Sequence, residues 1–198
     1  MQNKKGKLIA FYGINNLGRS TQAELLVKKL SDKGYQAESI KFPVYGLEPT
    51  GSLIMNFLRD QDKYNLSNRE FQLLNFINQN QKTIELEKKL DQGIFIVCES
   101  YFGSAAAWGI AMGVEPEIME HLYQSSRNED LAVFFDGEMF ERSPQEHSKL
   151  DRDNELLKRA QETHKQLALK YDWYIINANQ AIDEVKNEIW EIIKKRFF

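Results

Sequence analysis

A chain of 198 residues, 42% hydrophobic and with a formal net charge of −3, is long enough to bury one sizeable core, and it is read as a single domain over 1–198. The mildly acidic balance gives no overall electrostatic reason to bind nucleic acid or an anionic membrane surface, so any phosphate must be gripped locally. A single cysteine, Cys98, excludes an intrachain disulfide, and no run approaches the roughly 20 apolar residues that cross a bilayer, so the chain reads as soluble and cytoplasmic.

The first apolar run, KLIAFYG, predicts a strand, and the stretch Gly13 to Gln22, GINNLGRSTQ, follows it directly. Ala23, Leu26, Val27 and Leu30 then recur at helical spacing, with Gly34 where that helix would end. AESIKF is a second strand. Ser67 and Glu70 stand at capping-box spacing before a long helix that carries Leu74, Ile77 and Ile84 along one face. IFIVCE, LAVFFD and WYIINA predict three more strands. NELLKRAQETHKQLALK and AIDEVKNEIWEIIKK predict amphipathic helices, the latter with Ile182, Val185, Ile189 and Ile192 or Ile193 as its buried stripe. Strands alternating with longer helices indicate a parallel sheet covered by helices.

The loop between the first strand and helix nearly completes a phosphate-binding motif: Gly13, Gly18 and Ser20 are in place, and Arg19 stands where the pattern has lysine. Such a loop surrounds phosphate oxygens with backbone N–H groups and the positive end of a helix, so Gly13, Asn16, Leu17, Gly18, Arg19, Ser20 and Thr21 are the candidate ATP-binding residues. Arg19 keeps the charge but is bulkier than an ammonium. Glu99 ends the apolar run IFIVC and is therefore expected beside the loop, where it and the Ser20 hydroxyl would hold magnesium. His164 shares a helix face with Leu157, Ala160 and Leu167 and reads as a core histidine, while His121 and His147 have no ligand-like companions, so no zinc site is expected.

The phrase FYGINNLGRSTQAELLVKKL resembles the opening of the thymidylate kinase family, which reads as a strand, G-[IV]-D-x-x-G-K-S-T-Q and a leucine-rich helix. KFPVYGLEPTGSLI, CESYFGSAAAWG, DLAVFFD and the stretch from ERSPQEHSKL to the last strand are similar to later blocks of that family, in order along the chain. The resemblance implies an α/β chain of the P-loop NTPase type, a three-layer α/β/α fold with a central five-stranded parallel sheet and a short lid-like segment near 138–153. It further implies an ATP- and Mg2+-dependent kinase that passes the γ-phosphate to dTMP or a related deoxynucleoside monophosphate, acting as a homodimer on small-molecule nucleotides alone.

The same resemblance implies acceptor-site residues at Asn15, Phe42, Pro43, Phe76, Gln79, Ser100, Tyr101, Ser104 and Trp108. Several depart from the family pattern. Asn15 replaces an aspartate, Glu99 and Ser100 replace the Asp-Arg of Asp-Arg-Tyr, Gln79 aligns with a substrate-phosphate arginine, and Asn75 aligns with a base-stacking phenylalanine. Past Phe42 and Pro43 the usual arginine is absent, leaving Val44 and Tyr45. Lys41, Lys149, Arg142 and Arg152 are the charges available to compensate, with Arg142 and Arg152 taken with Arg19 and Glu99 as catalytic candidates. Two other readings stay open: a catalytically impaired nucleotide-binding protein of the same fold, and a deoxynucleoside kinase whose neutral acceptor needs no phosphate-binding arginine.

Overall fold

The computed structural model describes residues 5–61, 63–140 and 148–198. Its five strands, β1 (Leu8–Tyr12), β2 (Ala37–Lys41), β3 (Phe95–Glu99), β4 (Leu131–Asp136) and β5 (Tyr174–Asn177), coincide with the five apolar runs. They form one sheet in the order β2-β3-β1-β4-β5, every pair parallel. β1 and β3 are buried along their whole length, as expected of central strands covered on both faces, whereas the edge strand β2 is half exposed.

Side-chain alternation along each strand divides the core in two. Leu8, Ala10 and Tyr12 of β1 pack with Cys98 and Phe134 under α3 (Asn68–Asp91) and α4 (Phe102–Ala111), which contribute Leu86, Leu90, Phe102 and Ala106. Ile9 and Phe11 pack on the other face with α1 (Arg19–Asp32) and α7 (Ile182–Phe197) through Leu26, Leu30, Val185 and Ile189. The result is a three-layer α/β/α arrangement. α2 (Thr50–Leu58), α5 (Pro116–Ser125) and α6 (Asn154–Lys170) complete the helices. Cys98 is fully buried, and burial raises its thiol well above the usual range, in keeping with an inert packing role. Among the described residues no helix is long and apolar enough to cross a membrane.

Two helix faces differ from the sequence expectation. α3 is a 24-residue helix that starts at the Ser67–Glu70 capping box, yet Ile77 and Ile84 are 51% and 72% exposed. The face turned inward carries Phe71, Gln72, Asn75, Phe76, Asn78 and Gln79, a polar set that periodicity of apolar residues does not detect. In α7 the buried stripe is Val185, Ile189 and Ile193, while Ile182 lies at the exposed first position of the helix.

Candidate active site

The strand order places β1 between β3 and β4, so the loop leaving β1 opens beside the carboxyl end of β3, where ligands bind in open α/β sheets. Register fixes the neighbours: Phe11 pairs with Glu99, and Glu99 with Lys41. Backbone geometry explains the two loop glycines. A Cβ at Gly13 (φ 135°) would lie 2.8 Å from the Phe135 carbonyl oxygen, and Gly18 (φ 74°) takes the left-handed conformation at the helix entrance.

At this edge the side chains form a connected polar set. Ser20 Oγ donates to Glu99 Oε2 at 2.7 Å, and Lys41 Nζ lies 3.6 Å from the same oxygen. Arg19 is 6% exposed. Its Nη1 donates to Ser100 Oγ at 2.6 Å and its Nη2 to Asn15 Oδ1 at 3.2 Å. Asn15 Nδ2 in turn donates to Asp151 Oδ1 at 2.7 Å, and Asp151 Oδ2 accepts from the Ser148 amide and hydroxyl. Ser100 itself has φ 57°, a conformation L-residues rarely hold, just where the chain turns from β3 toward α4.

Two cavities meet along this set. One, of about 220 Å³, is lined by Asn16, Gly18, Ser20, Thr21, Arg19, Glu99 and Phe140, with Asn15 and Lys41 at its border. The other, of about 280 Å³, shares Asn15 and Lys41 and runs past Ser100 between Phe42, Pro43, Gln79, Ser104 and Trp108 to Phe71 and Asn75. The structure thus gathers most of the expected residues on two adjoining walls. Phe76 and Tyr101 sit behind the second wall as core, Phe76 against Phe102 and Tyr101 against Phe42, each ring pair 5.5 Å apart. Gly13 and Leu17 shape the loop from behind, Leu17 being buried in the core. Arg152 lines neither cavity and pairs with Asp60 at the surface, 2.6 Å away. Arg142 lies outside the described residues, as does most of the central part of the lid-like segment.

Asp151, Phe140 and Gln72 are site residues that the sequence reading did not name. Asp151 had a signal, since Ser148 and Asp151 have the S-x-x-D spacing of a capping box and form one here. Behind Arg19, His164 is fully buried between Phe134 and Trp108. Its Nδ1 lies 2.7 Å from the Ala160 carbonyl, which can only accept, so the proton sits on Nδ1. Burial first, and then the Arg19 charge, push its pKa down to about 3 against the opposing contact with Ala160.

The loop, the serine–carboxylate pair and the second cavity across a shared wall define a P-loop phosphotransferase of the two-substrate kind. The comparisons with known proteins narrow this class. The chain belongs to the thymidylate kinase family, whose family model matches residues 11–189. It is 27% identical to the thymidylate kinase of Dictyostelium discoideum over 98% of this chain and 87% of that protein. It is also 27% identical to the thymidylate kinase of Desulfotalea psychrophila, covering 98% of both. The fold matches a solved thymidylate kinase from Candida albicans with a TM-score of 0.81 at 23% identity, over 96% of this chain and 92% of the other.

Proposed function

We propose that this chain is an ATP-dependent kinase that phosphorylates dTMP, with ATP in the smaller cavity and the monophosphate in the larger. The observation that carries the reading is the Arg19 guanidinium, which lines the smaller cavity and is held by Asn15, on both linings, and by Ser100, on the larger one. In the transfer an oxygen of the acceptor phosphate attacks the γ-phosphorus, and the bond from that phosphorus to the bridging oxygen of ADP breaks. A phosphate dianion has no proton to lose, so the protein's contribution is positioning and charge. Arg19 supplies a cation to both phosphates from the seam, the amides of the Gly13–Ser20 loop hold the donor, and Asn15 fixes the guanidinium plane.

The residues present suit Mg2+. A hydroxyl and one carboxylate, Ser20 and Glu99, already touch, and hard oxygen donors with few protein ligands are the usual way this ion is held beside phosphates. Bound there, Mg2+ would neutralise charge developing on the donor phosphates. The protein also carries a surface that suits a homodimer: the outward face of α3 and adjacent α2 form an apolar groove lined by Leu53, Leu66, Leu73, Leu74 and Ile77. Light scattering should give twice the monomer mass, and a monomer at micromolar concentration would remove that part of the reading. A buried, unreactive Cys98 suits a reducing cytoplasmic setting.

The test is ADP release coupled to a spectroscopic readout with ATP and Mg2+, with and without dTMP. ADP should form only when dTMP is present. Binding of ATP without ADP release on adding dTMP would overturn the proposal.

A further inference from the structure

The larger cavity has polar groups that nothing among the described residues satisfies. Gln79 is 2% exposed, lines the cavity, and its enclosed side-chain Oε1 has no hydrogen-bond partner among the described residues. Ser104, 4% exposed on the same lining, also has an enclosed hydroxyl without a partner. Their neighbours are different. Asn75 spends its amide N–H on the Phe71 carbonyl and Gln72 directs its amide to the Met112 sulfur. Native proteins rarely leave a buried amide or hydroxyl unpaired, so two on one cavity lining point to a ligand that pairs them.

On the proposed function, the acceptor's phosphate lies at the seam with Arg19 and Lys41. The base then falls to the part of the cavity away from the seam, and Gln79, although it aligns with a substrate-phosphate arginine, is placed there with Ser104. Neither residue lines the smaller, phosphate-side cavity. A pyrimidine presents two adjacent edge positions there. Thymine offers a donor at N3 and an acceptor at O4, and cytosine offers the reverse, an acceptor at N3 and a donor at N4. Charged side chains read only one polarity: a guanidinium only donates, a carboxylate only accepts. A carboxamide turned through half a rotation presents either its oxygen or its NH2, and a hydroxyl rotates to donate or accept. Both uncommitted groups of this cavity are of the reversible kind.

We propose that Gln79 and Ser104 make the acceptor site indifferent to the polarity of the pyrimidine edge, so that deoxycytidine monophosphate is phosphorylated alongside dTMP. The inference rests on the kinase reading above and assigns its substrate class.

The experiment measures kcat/KM for dTMP and dCMP in the wild-type protein and in Gln79→Arg and Gln79→Leu, with ATP binding recorded for each as a check on folding. The wild type should use the two acceptors within about tenfold of each other. Gln79→Arg, whose side chain only donates, should shift the ratio toward dTMP by about 30-fold or more, because a site whose polar groups face a mismatched edge rejects it strongly. Gln79→Leu should depress both acceptors and leave their ratio within about threefold. A wild-type protein that uses dTMP but prefers it over dCMP by more than about 100-fold would overturn the inference while leaving the kinase reading intact, and so would an arginine variant with an unchanged ratio. Turnover of neither acceptor by protein that binds ATP would overturn both. The wild-type ratio decides the matter even where the arginine variant does not fold.

Discussion

The two cavities at the carboxyl edge of the sheet share a wall but are built from different materials. The smaller is charged, with Arg19, Lys41 and Glu99 around a glycine loop. The larger is neutral over most of its lining, a mixture of aromatic rings, amides and hydroxyls. Among the described residues Arg19 and Lys41 are the only cations on either lining. The difference teaches that, on the proposed function, the cations for the acceptor's phosphate stand only where the two cavities adjoin. Lys41 lines both cavities, and the buried Arg19 guanidinium lines the smaller one and reaches Ser100 of the larger. Away from Lys41 and Asp151 the larger lining offers a ligand hydrogen bonds and aromatic faces in place of charge.

The comparison breaks most visibly at Glu99. Replacing it with alanine removes the partner of Ser20 and Lys41 from the charged side, and kcat should fall by about 100-fold or more with a much smaller change in the KM for dTMP. Equal losses in both parameters would show that the two sides are not separable. Asp151→Ala acts at one remove, because Asp151 holds Asn15, which holds Arg19. A loss of about five- to tenfold in kcat/KM is expected, with Asp151→Asn retaining more activity, since the amide keeps an acceptor for Asn15. Unchanged kinetics in Asp151→Ala would remove this residue from the seam.

Much of the charged side was legible in the sequence, and much of the neutral side was not, for the same physical reason. A phosphate loop is written in glycine spacing and in a strand-to-helix context that periodicity exposes, so Gly13, Gly18, Ser20 and Glu99 could be placed from the string alone. The five strands were legible because each falls in a short run rich in apolar and β-branched residues between longer helical patterns, and the central three are buried almost throughout. The inward face of α3 was not, because polar residues are among those it buries, and Ile77 and Ile84 lie on the outer face. The partner of Arg19 was also hidden. An arginine in the lysine position reads as a substitute cation, and only the fold reveals that its guanidinium reaches Ser100, 81 residues away in sequence.

His164 sharpens the comparison through stability. Its pKa of about 3 in the folded protein lies below the roughly 6.5 of the unfolded chain. The unfolded state therefore binds the extra proton between these values. Its contribution is complete above about pH 6.5 and is lost as pH falls toward 3, at up to about 1.4 kcal/mol per pH unit. Chemical denaturation at pH 7, 6 and 5 should show this slope in the wild type and a shallower one in His164→Phe. Parallel slopes would mean that the ring is not held neutral behind Arg19. The smallest effect is expected at Arg152, whose exposed pair with Asp60 lies off both cavities. Arg152→Ala should change kcat by less than about twofold and stability by less than about 1 kcal/mol. A larger kinetic loss would bring this residue into the site during turnover.

The central claim, that the guanidinium of residue 19 is the seam's cation for the acceptor's phosphate, is tested most directly by exchanging its partners. Four proteins are compared by kcat/KM for dTMP: wild type, Arg19→Lys, Ser100→Arg and the double variant. A lysine at 19 lacks the planar fork whose two nitrogens donate separately to Ser100 and Asn15, and an arginine at 100 would enter space already filled 2.6 Å away. Each single change should therefore cost about tenfold or more. The double variant, with an ammonium in the loop and the guanidinium restored from the other wall, should recover most of the loss, a non-additive result. Arg19→Lys at or above wild-type activity, or Ser100→Arg improving dTMP use on its own, would contradict the account.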